Sequence, residues 1–368
     1  MNTEEMSVSS IYNGNIRLSI FGESHGEAIG AVVDGLPAGE KIDLEEIVVQ
    51  MKRRAPGYDE TSTARKETDI PKIISGMFNG YTTGSPLCAI IENKNANSDS
   101  YKKLKNLIRP GHVDYTANAK YNGYNDFRGG GHFSGRLTAA LNFCGAVCRQ
   151  SLARRGIIIG AHIYSIFDVL DEPFDENISD ELLKKLSQEK FSVIDSCKKE
   201  KMVETILAAK QAGDSVGGII ECAINNVPVG LGAPIFDGIE NKISSLIFAI
   251  PAVKGVEFGA GFSATKMFGS ENNDLFFVND GKILTKTNNH GGILGGISSG
   301  MPIIFRCAVK PTPSIAKIQE TVNTTNNSSE QVSVSGRHDP CIVPRALPVV
   351  EAVASIAILD LLKGENLL

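Results

Sequence analysis

Between residues 135 and 156 the chain reads GRLTAALNFCGAVCRQSLARRG, an apolar segment with helical spacing that stops at Gly156. Apolar side chains recur at three- and four-residue intervals, the period of a helix face, and the closing glycine supplies a left-handed C-cap. Outward from this helix the pattern changes period. Alternation in NIRLSIFG predicts a strand ending at Gly22, and AIGAVVDGLPAG predicts a second strand closed by a Gly-Pro turn. PLCAIIEN and GGIIECAINNVP are also strand-like. DLEEIVVQMKRR returns to helical periodicity, with Asp43 as its N-cap and an end before Pro56. SDELLKKLSQEK reads as a solvated amphipathic helix, and PVVEAVASIAILDLLKG as a closing one. Strands and helices interleave, so the fold class is α+β or layered α/β.

The chain of 368 residues is 42% hydrophobic and 21% charged, a composition that supports a sizeable core without disulfides or metals. A formal net charge of -5 argues against a general nucleic-acid binder but leaves room for a focused basic pocket. The seven cysteines form an odd set without C-x-x-C pairs, which points to a reduced, cytoplasmic chain. MNTEEMSVSS lacks the basic start and apolar centre of a signal peptide, and no apolar run reaches bilayer length; neither leader nor membrane partner is expected. ETVNTTNNSSEQVSVSG, residues 320–336, has linker composition, but only 32 residues follow it, too few for an independent domain. The expectation is one domain over residues 1–368, with 320–336 as a surface loop.

Five of the six histidines lie in glycine- or proline-rich contexts: His25 in GESHGE, His112 in RPGHVDY, His132 in RGGGHFSGR, His290 in NNHGGILGG and His338 in SGRHDPC. A single loop histidine is ordinarily a structural hydrogen-bonder, whereas five recurrences beside glycine suggest a site approached closely by backbone. His162, in IGAHIYSI, reads as strand packing. Arg53, Arg54, Arg65, Arg109, Arg128, Arg136, Arg337 and Arg345 mostly flank Gly, Pro or His. Scattered surface charge is the bland account; guanidinium groups in such loops suit carboxylate and phosphate. The glycine runs match neither a P-loop nor G-x-G-x-x-G. Gly131 to Ser134, directly before the long helix, could offer backbone N–H groups to phosphate. No zinc spacing is present, so no metal is expected, and GESHG departs from the nucleophile elbow by one place.

FGESHG, RPGHVDYT, GDSVGG, VKGVEFGAGF, NNHGGILGGISSG, KPTPSI and GRHDPCIVPRALPVVEA occur in that order. Together they resemble the chorismate synthase family from about residue 10 to 362. The resemblance implies a single large domain in which antiparallel sheets enclose helices as a β–α–β sandwich, assembled as a homotetramer. It implies a carbon–oxygen lyase that converts 5-enolpyruvylshikimate 3-phosphate to chorismate by anti-1,4-elimination, with reduced FMN and no net redox change. By position, His25 would protonate the leaving phosphate, His112 would act as acid toward reduced flavin, and Asp339 would help relay the proton taken from the substrate. Ser24, Arg54, Arg109, Arg136 and Arg345 would meet the substrate. His132, Phe133, Ser134, Ala252, Gly295, Lys310, Pro311, Thr312, Pro313, Ser314 and Arg337 would line the flavin. Without an appended reductase domain, an external flavin reductase would supply reduced FMN, with NADPH as indirect reductant.

The chain departs from the family pattern in HFSGRLT, where His132 and Leu137 replace an arginine and a glutamate, at Glu60, where an arginine is common, and at Pro251 in place of asparagine. Either Arg53 or Arg65 compensates for Glu60, or that contact is absent here. Two other classes compete: a non-catalytic module for a phosphorylated metabolite, and a metallo-hydrolase built on the loop histidines.

Overall fold

The structure, a computed structural model, describes residues 10–57, 60–63, 67–94, 105–334 and 338–368. Strands β1 (Ile11–Asn13), β2 (Arg17–Gly22), β3 (Ala28–Asp34), β4 (Lys72–Ser75) and β7 (Leu87–Glu92) form an antiparallel sheet in the order β1-β2-β3-β7-β4. The short β5 (Met77–Phe78) and β6 (Tyr81–Thr82) make a hairpin beside it. A second antiparallel sheet runs β11-β16-β10-β8-β9, from β8 (Ile158–Ile166), β9 (Val169–Leu170), β10 (Gly218–Asn225), β11 (Val253–Phe258) and β16 (Ile303–Val309). The hairpins β12 (Phe276–Asn279)–β13 (Lys282–Thr285), β14 (Ile293–Leu294)–β15 (Ile297–Ser298) and β17 (Gln319–Asn323)–β18 (Ser328–Val332) stand apart from the two sheets.

Between the sheets lie α3 (Thr138–Arg154) and α8 (Val343–Gly364), packed along each other. α3 covers β2, β3 and β7, whereas α8 covers β8 and β10, so the layering is β–α–β and the fold class is the expected α+β. Both helices are apolar on nearly every side, as burial between two sheets demands. The main core runs through all layers, with Ile29 and Leu87 from the first sheet, Phe143 and Val353 from the helices, and Ile163 and Phe305 from the second. Gly145 permits the closest approach: a Cβ there would sit 2.2 Å from the Ala352 Cβ. α1 (Leu44–Arg54) packs across both helices and begins as its sequence predicts, with Asp43 accepting hydrogen bonds from the Glu45 and Glu46 amides.

The remaining helices are α2 (Asp114–Lys120), α4 (Asp180–Leu186), α5 (Ser196–Gln211), α6 (Ile239–Ile247) and α7 (Gly269–Asn272). The expected loop at 320–336 is mostly the hairpin β17–β18: alternating half-buried and exposed positions pair Thr321 with Glu330, so polar composition hid a strand period. α3 also starts later than the sequence suggests. Residues 131–133 and 135–137 are short 3-10 turns, and regular helix begins at Thr138.

Two ionic clusters tie the layers together. Glu351 in α8 accepts from Arg53 and Arg149 and from the Ala161 amide, all deep in the sandwich. His162, beyond simple strand packing, is wedged between Asp171 (2.9 Å) and Glu221 (2.9 Å), and Glu221 also pairs with Arg306 across β10 and β16.

Candidate active site

A cavity of about 860 Å³ opens where the 3-10 turns before α3, the start of α8, the loop before α2 and the chain after β16 converge. Arg54, Arg109, Arg136 and Arg345 line it, together with His112, His132, His338 and Asp339. Helix ends and loops carry the charged groups, while Leu141, Ile250, Ile342 and Val349 supply an apolar wall. Volume, concavity and a few convergent polar groups are the properties of a small-molecule site.

Each arginine reaches the cavity already paired with a carboxylate. Asp69 sits between Arg54, at 3.0 Å, and Arg136, and all three are buried. Burial alone would raise the Asp69 carboxyl; the two adjoining guanidinium groups outweigh it and hold the pKa below the ordinary carboxylate value. Arg54 also donates to the Thr138 hydroxyl (3.1 Å) and the Gly135 carbonyl (2.6 Å), and Arg136 to the Asn93 side chain (2.9 Å). Arg345 pairs with Asp339, whose other oxygen accepts from the Thr63 amide at 2.9 Å. Asp114 grips Arg109 through two 2.7 Å bonds and His112 Nδ1 through a third. These partners override the upward effect of burial and keep the Asp114 carboxyl far below its usual range. A permanently ionised Asp114 fixes the His112 ring: Nδ1 carries the proton and Nε2 is left for other work.

His25 does not line the cavity wall directly. The GESHG turn is stapled to the glycine loop by the Ser24 amide donating to the Gly131 carbonyl (3.1 Å) and the Ser24 hydroxyl donating to the Arg128 carbonyl (3.2 Å). Gly129 and Gly130 then fill the space between two histidines. A Cβ on Gly129 would fall 2.6 Å from the His25 ring, and one on Gly130 would fall 3.4 Å from the His112 ring. Both glycines have positive φ, +64° and +114°, so backbone conformation favours glycine at each, and at Gly129 bulk disfavours a side chain as well. His25 and His112 therefore both border one glycine loop.

Predicted residues fall into three groups. His112, Asp339, the four arginines, His132, Phe133, Ser134, Ala252, Lys310, Thr312, Pro313 and Ser314 do meet on the cavity. Lys310 donates to the Gly111 carbonyl at 2.5 Å, and its own amide donates to the carbonyl of Ala252, a non-glycine residue held at φ +76°. Ser24, 1% exposed, acts as a staple for the GESHG turn and does not face the cavity. Pro311 and Gly295 do not line it either; Gly295 is in the β14–β15 turn, whose neighbour Gly296 packs on Ala233 and Gly238. Arg337 lies outside the described residues.

His132 lines the cavity with both ring nitrogens engaged within the protein, Nδ1 2.8 Å from the Gly22 carbonyl and Nε2 2.7 Å from the Ser10 hydroxyl. Other expectations need correction. Arg53 is committed to Glu351 in the core and cannot compensate for Glu60, while Arg65 is outside the described residues. The free N–H groups expected just before α3 are replaced by the 3-10 turns, and the Gly135 carbonyl is spent on Arg54 and Thr138. Sequence reasoning missed Asp69, Asp114 and Asn93. Asp114 was within sight, two residues after His112 in RPGHVD; Asp69 and Asn93 carried no local signal, since their partners are 15 or more residues away.

Histidines among guanidinium groups around a concave cavity are the make-up of an enzyme site for an anionic small molecule. The family model described as Chorismate synthase matches residues 16–362. Chorismate synthases of Dehalococcoides mccartyi and Thermococcus kodakarensis are 47% and 48% identical to the chain, each over 94% of it and over 94% and 95% of their own lengths. That of Pyrococcus abyssi is 49% identical over 94% of the chain and 95% of its own. A solved structure, described as the crystal structure of chorismate synthase, superposes with a TM-score of 0.75 at 31% identity, covering 95% of this chain and 92% of that one. The chain belongs to the chorismate synthase family and is a lyase.

Proposed function

We propose that this enzyme eliminates phosphate from 5-enolpyruvylshikimate 3-phosphate in an anti-1,4 sense and requires reduced FMN, without net redox change. The observation that carries this reading is that His25 and His112 both border the Gly129–Gly130 loop, beside a cavity bearing four arginines. Two carboxylates and a phosphate need several bidentate cations, and Arg54, Arg109, Arg136 and Arg345 provide them. Their internal carboxylate partners pre-set the guanidinium planes, so little side-chain entropy is lost when substrate arrives.

The residues present fit a flavin. Among the described residues, Thr312 Oγ1 and His338 Nε2 are buried on the cavity without a hydrogen-bond partner, the state expected of groups reserved for a polar ring edge. Burial and the neighbouring Arg109 charge push the His338 pKa down, which favours a neutral ring that can accept as well as donate. The apolar wall suits an aromatic ring system, and Lys310 offers a cation to phosphate. When bound beside Lys310, Thr312 and His338, reduced FMN would supply the electron density that makes C–O cleavage accessible. His25 gives a proton to the departing phosphate. His112, aligned by Asp114, would act through Nε2 as the acid toward a bound reduced flavin. Asp339, held by Arg345 and Thr63, passes the substrate proton onward. Phosphate release should therefore depend on reduced flavin, and His25→Ala and His112→Ala should each slow kcat at least tenfold, within a general-acid range of about 10²–10⁴. Wild-type kcat in both variants would refute these roles.

Homotetramer formation is part of the proposal and finds support in large apolar side chains left in solvent, among them Phe236 (83%), Phe268 (79%) and Val278 (72%). Reduced FMN would come from an external flavin reductase drawing on NADPH, in the cytoplasm. Among the described residues no helix is long and apolar enough to cross a membrane, and the seven cysteines are free thiols.

A further inference from the structure

Away from the cavity, Asp274, His290 and Ser299 form a hydrogen-bonded row. Asp274 Oδ2 lies 2.5 Å from His290 Nδ1, and His290 Nε2 lies 2.9 Å from Ser299 Oγ. Asp274 also accepts from the Thr287 hydroxyl (2.5 Å) and from the amides of Asn289 and His290 (2.8 Å each), an environment that keeps it ionised. An ionised Asp274 puts the imidazole proton on Nδ1. In the neutral ring, Nε2 is then an acceptor, so the Ser299 hydroxyl donates to it. Nucleophile, base and orienter are thus in the order and spacing that acyl-transfer enzymes use on unrelated folds.

Exposure follows the same division of labour. The Asp274 and His290 side chains are 6% and 7% exposed, whereas Ser299 is half-buried. Ser299 is pinned by its amide donating to the Gly292 carbonyl at 2.9 Å, and the next residue, Gly300, turns at φ +89°. The Met301 amide donates a long bond, 3.4 Å, to Ser299 Oγ, which helps to fix the hydroxyl while its own proton is directed to His290. Val229 stands beside the turn, only 2.7 Å from where a Gly300 Cβ would be, and presents an apolar neighbour to an incoming acyl group. None of these residues lines the lyase cavity.

We propose that Ser299 is an activated nucleophile that cleaves small acyl esters. Ser299 Oγ bonds to the ester carbonyl carbon as its proton moves to His290 Nε2. That proton passes to the alcohol oxygen as the C–O bond breaks, leaving an acyl-serine. Water then attacks the acyl carbon, gives a proton to Nε2, and releases the carboxylic acid with the serine hydroxyl restored.

The test is labelling of the intact enzyme with a fluorophosphonate, followed by peptide mass spectrometry, beside hydrolysis of p-nitrophenyl acetate. The proposal expects adduct on Ser299 in native but not heat-denatured protein. It expects ester hydrolysis to vanish in Ser299→Ala and labelling to slow by about 10²-fold or more in His290→Gln. No adduct on Ser299 in the native wild type overturns the proposal, whatever the variants do. Undiminished labelling in folded His290→Gln overturns it equally. Phosphate release by the lyase is read separately, so failure of that reaction leaves this outcome distinguishable.

Discussion

Asp69 and Asp114 each hold two side chains, and that sharing gives the site its rigidity. Removing the charge of Asp69 leaves Arg54 and Arg136 buried without their counter-ion, a loss of about 3–5 kcal/mol for a broken buried pair. Asp69→Asn is accordingly expected to lower the denaturant midpoint and weaken substrate binding together; unchanged stability would show that the arginines find other partners. The folded-state pKa of Asp69 is depressed, so its contribution is present above the unfolded carboxylate value of about 3.9 and disappears as pH falls through the lower folded value. Stability in acid should therefore decline more steeply in wild type than in Asp69→Asn. The arginines and histidines of the site were visible as residue types in glycine loops. Their carboxylate partners were not, because Asp69 meets Arg136 only through the fold.

At the scale of elements, α3 and α8 approach closely at Gly145. Alanine is the better helix former by about 1 kcal/mol, yet its methyl would lie 2.2–2.3 Å from the Ala352 Cβ and Cα, where backbone cannot give way. Overpacking costs about 1–3 kcal/mol, so Gly145→Ala is expected to destabilise the fold by urea titration. A stabilised variant would mean that the two helices can separate without loss. The second sheet holds a different device. His162 lies between Asp171 and Glu221 at zero exposure, and the two carboxylates raise its pKa although burial, the largest influence, acts the other way. A raised folded value means that its stabilisation is complete below the unfolded value of about 6.5 and is lost as pH rises through the folded one. Thermal melts should show wild type losing its advantage over His162→Gln in that alkaline direction. A pH-independent difference would contradict a charged His162. Helix and strand periods were legible because burial enforces them: β2, β3, α1 and β10 fall within their predicted segments. The hairpin β17–β18 escaped notice because its Thr, Asn and Ser residues suggest a loop by composition.

Across the whole molecule, two antiparallel sheets clamp a pair of apolar helices, and the cavity forms where the loops at the helix starts meet. Sequence periodicity gives strands and helices but not which sheet a strand joins; β16 enters between β10 and β11 by pairings more than 45 residues apart. Layering was thus legible only through the ordered motifs shared with a family. The same holds for the site: RPGHVDYT, KPTPSI and GRHDPCIVPRALPVVEA, far apart in the chain, supply residues to one cavity, and FGESHG borders its glycine loop. His25 and His112 are 87 residues apart in the chain and become neighbours of a single glycine loop. The central claim is that this convergence serves a flavin-dependent elimination. Anaerobic turnover of 5-enolpyruvylshikimate 3-phosphate, with phosphate release followed in the presence of chemically reduced FMN, oxidised FMN or no flavin, tests it most directly. Release only with reduced FMN is the expected result; equal release under all three conditions would contradict the account.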